Sequence, residues 1–273
     1  TAGDIPVNAA VSCAANPPLT LTATNDININ APITATGTSA GLNLNYGGDY
    51  YIANGAAVTL SGGNASLAMN GQAYTLIHTM AQLAALDDAT GTASGLYAVA
   101  NDIDAGATAY DGPVMARLSG TLAGLGHTVS GLTISSGGSY VGLIGSIGAD
   151  STVRDLGLLN AGITGNSTVG ALAGENNGIV SNSYATGAVT SLSSGWAGTG
   201  GLIGENYGTI TGSHAAVTVT SSGNYVGGLV GFSYGVIASS YATGDVSGYM
   251  PVGGLIGGGG GTVSDAYATG DVP

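Results

Sequence analysis

The sequence predicts an all-β protein that folds as a β-solenoid, and three observations support this fold class. Glycine accounts for 51 of 273 residues, and Thr, Ser and Val fill much of the remainder, residue types that favour strands and turns over helices. A glycine-flanked leucine recurs through the second half of the chain. Between the leucines runs a second recurring string that ends in Tyr-Ala-Thr-Gly. Repeats of this length indicate coils that bury their apolar faces against their neighbours.

Residues 1–71 are predicted to form the first solenoid coils. Leu19, Leu21 and Ala23 alternate with threonine, and Ile27 and Ile29 alternate with asparagine. Alternation of this kind places one face of each strand in a core and the other in water.

Residues 72–140 are predicted to be a transition segment with the only helix of the chain. Met80, Leu83 and Leu86 are spaced by three, and Thr79 is a suitable N-cap, so a short helical insertion is expected near residues 80–86. Strands follow at 96–103 and 127–134. No linker separates these parts, so the three segments are expected to form one continuous solenoid.

Residues 141–273 are predicted to be a tandem array of coils. The repeated leucines form its structural core: Leu143, Leu172, Leu202, Leu229 and Leu255. Their neighbouring glycines allow tight turns and close approach of adjacent coils, whereas a phosphate-binding loop would need a lysine and a following helix. Val180, Asn182 and Tyr184 are expected to share one strand face, with a corner or bulge near Gly187 before Val189.

One set of aligned residues is the strongest surface candidate. Stacked coils would align four rings into a ladder, whose faces and hydroxyl groups are suited to sugars or simply pack between coils: Tyr184, His214, Tyr241 and Tyr267. His214 occupies the tyrosine position of its repeat and is expected to be a structural replacement.

These motifs resemble the GLUG-motif repeats of filamentous-haemagglutinin-like secreted adhesins, which are exported by two-partner secretion or as autotransporters. Four blocks carry Gly-Leu-(Ile/Val)-Gly, and the segment 122–134 is similar to a block that precedes the first repeat in that family, although Ala123 stands where an aspartate is common. The resemblance covers about residues 72–273. It implies a right-handed parallel β-helix and a role in adhesion at the bacterial cell surface.

Composition excludes several other classes of function. The formal net charge is −13 with only two arginines and no lysine, which argues against nucleic-acid binding and against attraction to anionic lipid. No apolar run is long enough to span a membrane, and Cys13 is the only cysteine, so no internal disulfide is expected.

The sequence predicts no catalytic residues, no cofactor and no metal site. Glu175 and Glu205 hold identical repeat positions and are interpreted as solvated turn residues, although two stacked carboxylates are also compatible with a glycosidase pair or a cation site. An acidic loop around Asp102, Asp104 and Asp111 matches the spacing of neither an EF-hand nor a calcium-binding nonapeptide repeat and is interpreted as solvated surface.

We therefore expect a non-enzymatic, extracellular solenoid segment that mediates attachment or contact with a biofilm matrix, with a host or matrix glycan or protein as partner. Two alternatives remain at this stage. One is a subunit of a filament that self-associates through open solenoid ends, and the other is a carbohydrate-active β-helix enzyme. The chain is expected to be either a processed product or a piece of a longer protein.

Overall fold

The computed structural model describes residues 3–273 and confirms the predicted all-β fold, a parallel β-solenoid of about nine turns. Within those residues the one helix, α1, spans Met80–Ala84, and the Thr79 side chain accepts a hydrogen bond from the Gln82 N–H as the N-cap. This short helix also confirms the predicted insertion. Nothing helical in the described chain is long and apolar enough to cross a bilayer.

The N-terminal solenoid is made of three coils of three short strands each. In chain order these strands are β1 (Ile5–Val7), β2 (Val11–Cys13), β3 (Leu19–Thr22), β4 (Ile27–Ile29), β5 (Ile33–Ala35), β6 (Gly41–Asn45), β7 (Tyr50–Ile52), β8 (Val58–Leu60) and β9 (Ser66–Met69). Equivalent strands pair in parallel, as Ile5 with Ile27 and Ile27 with Tyr50. Their alternating isoleucines and leucines point inward, as the sequence predicts.

The second solenoid contains the remaining strands. They are β10 (Gln72–Ile77), β11 (Leu96–Val99), β12 (Ile103–Asp104), β13 (Ala109–Tyr110), β14 (Met115–Leu118), β15 (Thr121–Ala123), β16 (Thr128–Ser130), β17 (Thr133–Ser135), β18 (Ser139–Val141), β19 (Ile144–Ile147), β20 (Thr152–Arg154), β21 (Gly157–Gly165), β22 (Ser167–Val169), β23 (Ala173–Asn176), β24 (Ile179–Ser181), β25 (Tyr184–Ser191), β26 (Thr199–Gly200), β27 (Ile203–Asn206), β28 (Thr209–Thr211), β29 (His214–Ser221), β30 (Val226–Gly227), β31 (Val230–Ser233), β32 (Val236–Ala238), β33 (Tyr241–Ala242), β34 (Val246–Ser247), β35 (Val252–Gly253), β36 (Ile256–Gly259), β37 (Thr262–Ser264) and β38 (Tyr267–Ala268).

These strands stack into four parallel sheets, which form the faces of the second solenoid. Face 1 runs β10-β11-β15-β20-β24-β28-β32-β37, and face 2 contains β12-β16-β21-β25-β29-β33-β38 with β13, β17 and β34. Face 3 runs β18-β22-β26-β30-β35, and face 4 runs β14-β19-β23-β27-β31-β36. A regular coil such as β20 to β23 therefore contributes one strand to each face in turn.

The direction of the strands reverses between the two solenoids. Strands β9 and β10 pair antiparallel around Asn70 and Gly71, whose φ angles are 49° and 76°. An Asn-Gly pair with two positive φ angles is the preferred chemistry of a two-residue hairpin. The repeat pattern does not predict this reversal, which interrupts the parallel stack.

The two solenoids share one sheet and pack on its opposite sides. Tyr97 and Val99 of β11 belong to the core of the second solenoid, whereas Ala98 of β11 and the following Ala100 are buried against the core of the first. Small side chains are needed there, because the sheet carries a packed core on each face.

The repeated leucines lie directly above one another in the core of the second solenoid. The backbone N–H of Leu172 donates to the carbonyl of Leu202, and Leu202 donates in the same way to Leu229. Leu143, Leu172, Leu202 and Leu229 are fully buried, and Leu255 packs partly buried against the same core.

Candidate functional site

The four rings of the sequence-predicted ladder form a single stack along face 2. Strand register pairs Tyr184 with His214, His214 with Tyr241, and Tyr241 with Tyr267. The ring centroids are 5.0, 4.6 and 5.0 Å apart, and the planes of neighbouring rings differ by no more than 5°. His214 thus replaces a tyrosine structurally, as its place in the repeat suggests.

The stacking also corrects one part of the prediction. Because each ring covers the face of the next, the faces of His214 and Tyr241 are not available to a sugar. Gly157 lies against the remaining face of Tyr184, where a Cβ atom would come within 2.5 Å of the ring. Apart from the outer face of Tyr267, the last ring of the stack, the ladder therefore presents ring edges and hydroxyl groups to its surroundings.

The orientation of the ladder depends on a left-handed corner between faces 1 and 2. The residue two positions before each ring has a positive φ angle, 47° at Asn182, 57° at Gly212, 49° at Ser239 and 49° at Asp265. This corner means that Val180 points inward and Tyr184 outward, so the expectation that Val180, Asn182 and Tyr184 share one strand face is wrong. The step of five from Tyr184 to Val189 runs along one strand, β25, and the predicted irregularity near Gly187 is a bulge rather than a corner, since Gly187 has a φ angle of 124° and the register with β21 shifts between Leu158 and Ala161.

Buried serines satisfy the backbone at this corner. The Ser183 N–H donates to Ser213 Oγ of the next coil, and the Ser213 N–H donates to Ser240 Oγ of the coil after that. Each hydroxyl also donates to the carbonyl two residues earlier in its own coil. Because the polar groups are paired in these three coils, the corner repeats at low energetic cost and keeps the rings aligned.

A cleft of about 420 Å³ separates the ladder from the loop 51–56 of the N-terminal solenoid. One wall consists of the edges of Tyr184, His214 and Tyr241, and the other includes Tyr51 and Asn54. Amide, imidazole and phenol groups provide both hydrogen-bond donors and acceptors. The cleft can therefore hold a small polar molecule, but it brings no nucleophile and base together.

Ionisation in the cleft is governed by burial. Burial lowers the pKa of His214 below its ordinary value, which favours the neutral imidazole between the two tyrosines. Burial also raises the pKa of Tyr184, with a smaller contribution from Asp102. Both shifts favour the uncharged side chain at neutral pH.

Arg154 joins the two solenoids next to Asp155, which lines the cleft. Its guanidinium donates to Asp155 at 2.9 Å, to Asp49 at 2.8 Å and to the Tyr50 carbonyl at 2.7 Å, and it lies 3.9 Å from the centre of the Tyr50 ring. Burial alone would lower the pKa of Arg154, but Tyr50, Asp155 and Asp49 together raise it. Burial raises the pKa of Asp155, which is held as the partner of this cation.

Glu175 and Glu205 lie side by side on face 4, as their equivalent repeat positions predict, and they are paired in strand register. Glu175 lies in strand β23 and Glu205 lies in strand β27, so their interpretation as turn residues is wrong. Glu175 accepts a hydrogen bond from Ser146 at 2.9 Å. Glu205 accepts from Thr168 at 3.3 Å and from the Tyr207 hydroxyl at 3.2 Å.

The asparagine after each glutamate is buried and continues the stack. Asn176 donates to the side-chain oxygen of Asn206 at 2.8 Å, and Asn206 donates to Ser233 at 3.1 Å. This internal ladder supports the turn that follows, since the Gly178 N–H donates to the side chain of Asn176. Its role is structural.

The acidic loop residues mostly serve their own local structure. Asp102 accepts from the N–H and hydroxyl of Thr128 and lies 3.2 Å from the His127 ring, while Asp104 accepts from the Gly106 N–H. Asp88 caps its own turn through Thr90 and Thr92. Across residues 3–273, no three His, Cys, Asp or Glu side chains are grouped so as to hold a metal ion.

An exposed cluster of aromatic side chains on and beside face 4 was missed by the sequence analysis. Ring contacts at 5.6, 4.7, 4.9 and 6.3 Å link five residues in order: Trp196, Tyr225, Phe232, Tyr234 and Tyr207. The only tryptophan and the only phenylalanine of the chain are both among them. Phe232 is the register partner of Glu205. Alignment of the repeats therefore gives a signal for this cluster, because it places Phe232 at the position of Glu205.

Comparison with known proteins finds a GLUG motif in this chain. The family model described as the GLUG motif matches residues 222–247, which include strands β30 to β34. This segment contains Gly228-Leu229-Val230-Gly231, one of the motifs found in the sequence.

The chain is also similar to Halomucin from Haloquadratum walsbyi, with 35% identity over 126 residues. The matched region is 41% of this chain, whereas the chain spans about 1% of the length of that relative. No solved structure matches the chain.

Proposed function

We propose that this chain is a structural and adhesive segment of a secreted surface protein of the filamentous-haemagglutinin-like type, which mediates attachment or contact with a biofilm matrix. The observation that carries this proposal is the in-register stack of coils. Strands β25 and β29, for example, pair without interruption from Tyr184 with His214 to Ser191 with Ser221. A stack of this kind projects the same outward side chains repeatedly along one axis.

The surface chemistry supports an extracellular scaffold rather than an enzyme. The net charge of −13 and the two arginines, one of them buried, leave little cationic surface for nucleic acid. The two glutamates are hydrogen-bonded to neighbouring hydroxyl groups. The similarity to Halomucin is compatible with a surface or secreted protein, but it does not identify a ligand.

Retention of coated beads under flow tests this function. Cys13 is a free and partly exposed thiol, so it permits coupling of the chain in one orientation. We expect beads carrying the chain to remain on a bacterial biofilm matrix or on epithelial cells at shear rates that remove albumin-coated beads. Equal removal of both bead types from both surfaces would contradict an adhesive role.

The non-enzymatic part of the proposal is tested separately. Neutral and acidic polysaccharides incubated with the purified chain should keep their size distribution in gel filtration. Shortening of any polysaccharide, lost on replacement Glu175→Gln or Glu205→Gln, would instead favour a glycosidase.

A further inference from the structure

The stability of the fold does not explain why one part of the surface, the aromatic platform, exposes several aromatic rings. We define it as the rings of Trp196, Tyr225, Phe232, Tyr234 and Tyr207. Trp196 is 79% exposed and Tyr234 is 62% exposed, so these rings gain little from burial within the chain. Contiguous exposed aromatic surface marks an interaction site more often than an accident of folding.

The platform is organised by the repeat of the coils. Along face 4, one outward row in strand register contains Arg117, Ser146, Glu175, Glu205 and Phe232. Tyr225 precedes face 4 on one side of this row, and Tyr207 and Tyr234 follow it in the turns on the other side. Rings therefore flank a row that changes along the axis from hydroxyl and carboxylate groups to an aromatic ring.

The polar end of the row continues into a second depression of about 440 Å³. Its lining includes Tyr140, Ser146 and Glu175. Carboxylate oxygens and hydroxyl groups are thus accessible next to aromatic surface over several successive coils.

We propose that this face binds an extended neutral polysaccharide, which lies along the solenoid axis with its sugar rings on the aromatic platform and its hydroxyl groups on the row of Glu175 and Glu205. Sugars present apolar C–H faces that pack on aromatic rings and hydroxyl groups that donate to carboxylates. Adjacent coils are roughly 4.8 Å apart, which is close to the length of one sugar unit in an extended chain.

Charge selects the class of polysaccharide. Glu175, Glu205 and the overall charge of −13 repel uronate and sulfate groups and outweigh Arg117, the one cation of the row, so a neutral chain is favoured over an acidic one. Tyr207 stays protonated, because burial and the adjacent Glu205 carboxylate raise its pKa to about 12, and its hydroxyl group donates to that carboxylate. This bond holds Glu205 beside the platform.

Intrinsic fluorescence provides a direct test, because Trp196 is the only tryptophan. We expect saturable changes in its emission on titration with hydroxyethylcellulose or galactomannan, both neutral, and none with alginate, which is acidic. Constant emission with both neutral polysaccharides, or an equal response to alginate, would overturn the proposal.

Affinity electrophoresis tests the residues themselves. In gels that contain the neutral polysaccharide that responds, Trp196→Ala and Tyr234→Ala should each weaken binding about tenfold. Tyr51→Ala is the matched control, since Tyr51 is an exposed tyrosine on the ladder cleft, and its binding should equal that of the wild type. The platform would be ruled out if all three variants bound as tightly as the wild type, or if Tyr51→Ala weakened binding as much as Trp196→Ala and Tyr234→Ala do.

The inference rests on the proposed adhesive function, and the bead assay separates the two. If Trp196→Ala beads are retained as well as wild-type beads, adhesion stands and the platform is rejected as its basis. If the polysaccharides give no signal and protease treatment of the target surface abolishes retention that depends on Trp196, the platform binds a protein and the proposal is wrong.

Discussion

Arg154 shows how much one side chain contributes to the arrangement of this molecule. The chain has two arginines and no lysine. Arg154 joins Asp155 of its own coil to Asp49 of the other solenoid. The Asp155 side chain is only 2% exposed. Removal of the arginine therefore leaves a carboxylate in a site that water hardly reaches.

We expect Arg154→Met to lower the free energy of unfolding by about 3 kcal/mol, because it leaves the Asp155 carboxylate buried without its partner. Chemical denaturation monitored by circular dichroism measures this loss. Arg117→Met is the matched control, since Arg117 is exposed on β14, and it should change stability little. Similar losses for the two variants would contradict the role assigned to Arg154.

His214 should make stability depend on pH. Burial lowers its pKa in the folded protein below the ordinary value of 6.5, so below that value the unfolded chain binds the proton more readily than the folded chain. Stability is complete above about pH 6.5 and falls as the pH drops toward the lower pKa of the folded state.

The variant His214→Tyr isolates this effect, because tyrosine already occupies the equivalent place in three neighbouring coils. We expect the melting temperature of the wild type to fall more than that of His214→Tyr between pH 7.5 and pH 5.5. Parallel curves for the two proteins would show that His214 does not titrate in this range.

Residue equivalence within the repeats could be predicted from the sequence, whereas side-chain direction could not. The alignment placed His214 with the tyrosines and Glu175 with Glu205, because spacing alone decides which residues share a position. The direction of Tyr184 depends on the positive φ angle of Asn182, a residue type that tolerates this conformation without requiring it. The exposed platform depends on loops that bring Trp196 and Tyr225 together, and spacing says little about loops.

At the scale of the element, the glycines of the repeated motif set the distance between coils. A Cβ atom on Gly204 would lie 2.6 Å from the Gly174 carbonyl oxygen and 2.8 Å from the Val169 nitrogen. Real side chains do not approach backbone atoms so closely, so the motif requires glycine for contact rather than for a left-handed turn.

Gly204→Ala should accordingly destabilise the protein by about 2 kcal/mol, since the coils must move apart to accommodate the methyl group. Gly162→Ala is the control, because a Cβ atom on Gly162 meets no atom within 4 Å. Thermal unfolding compares the two variants. A neutral Gly204→Ala would mean that the coils are not packed this closely.

The hairpin at Asn70 and Gly71 was present in the sequence as a recognisable signal. Asn-Gly between alternating strands is a strong indication of a two-residue turn. The repeat pattern obscured it, since a solenoid predicts that every strand pairs in parallel with its equivalent in the next coil. The helix at Met80–Ala84 was predicted because its cap and its spacing are local features.

At the scale of the whole molecule, two solenoids pack on opposite sides of a shared sheet, and the second presents different chemistry on each side. Face 2 presents the ladder, which closes a cleft against the first solenoid, and face 4 presents the aromatic platform. Both surfaces exist only because equivalent residues of successive coils lie one above another. The in-register stack is thus the central claim on which the proposed function depends.

Disulfide trapping between coils tests this claim most directly. In a Cys13→Ser background, Ala188→Cys and Thr218→Cys are register partners on the outer surface of β25 and β29. Neighbouring strands are roughly 4.8 Å apart, within the Cα separation that a disulfide allows. Ala188→Cys with Thr220→Cys is displaced by two residues along the strand, beyond about 7 Å, and should not cross-link. Rapid oxidation of the first pair alone supports the stack, and equal or absent cross-linking of both pairs would contradict it.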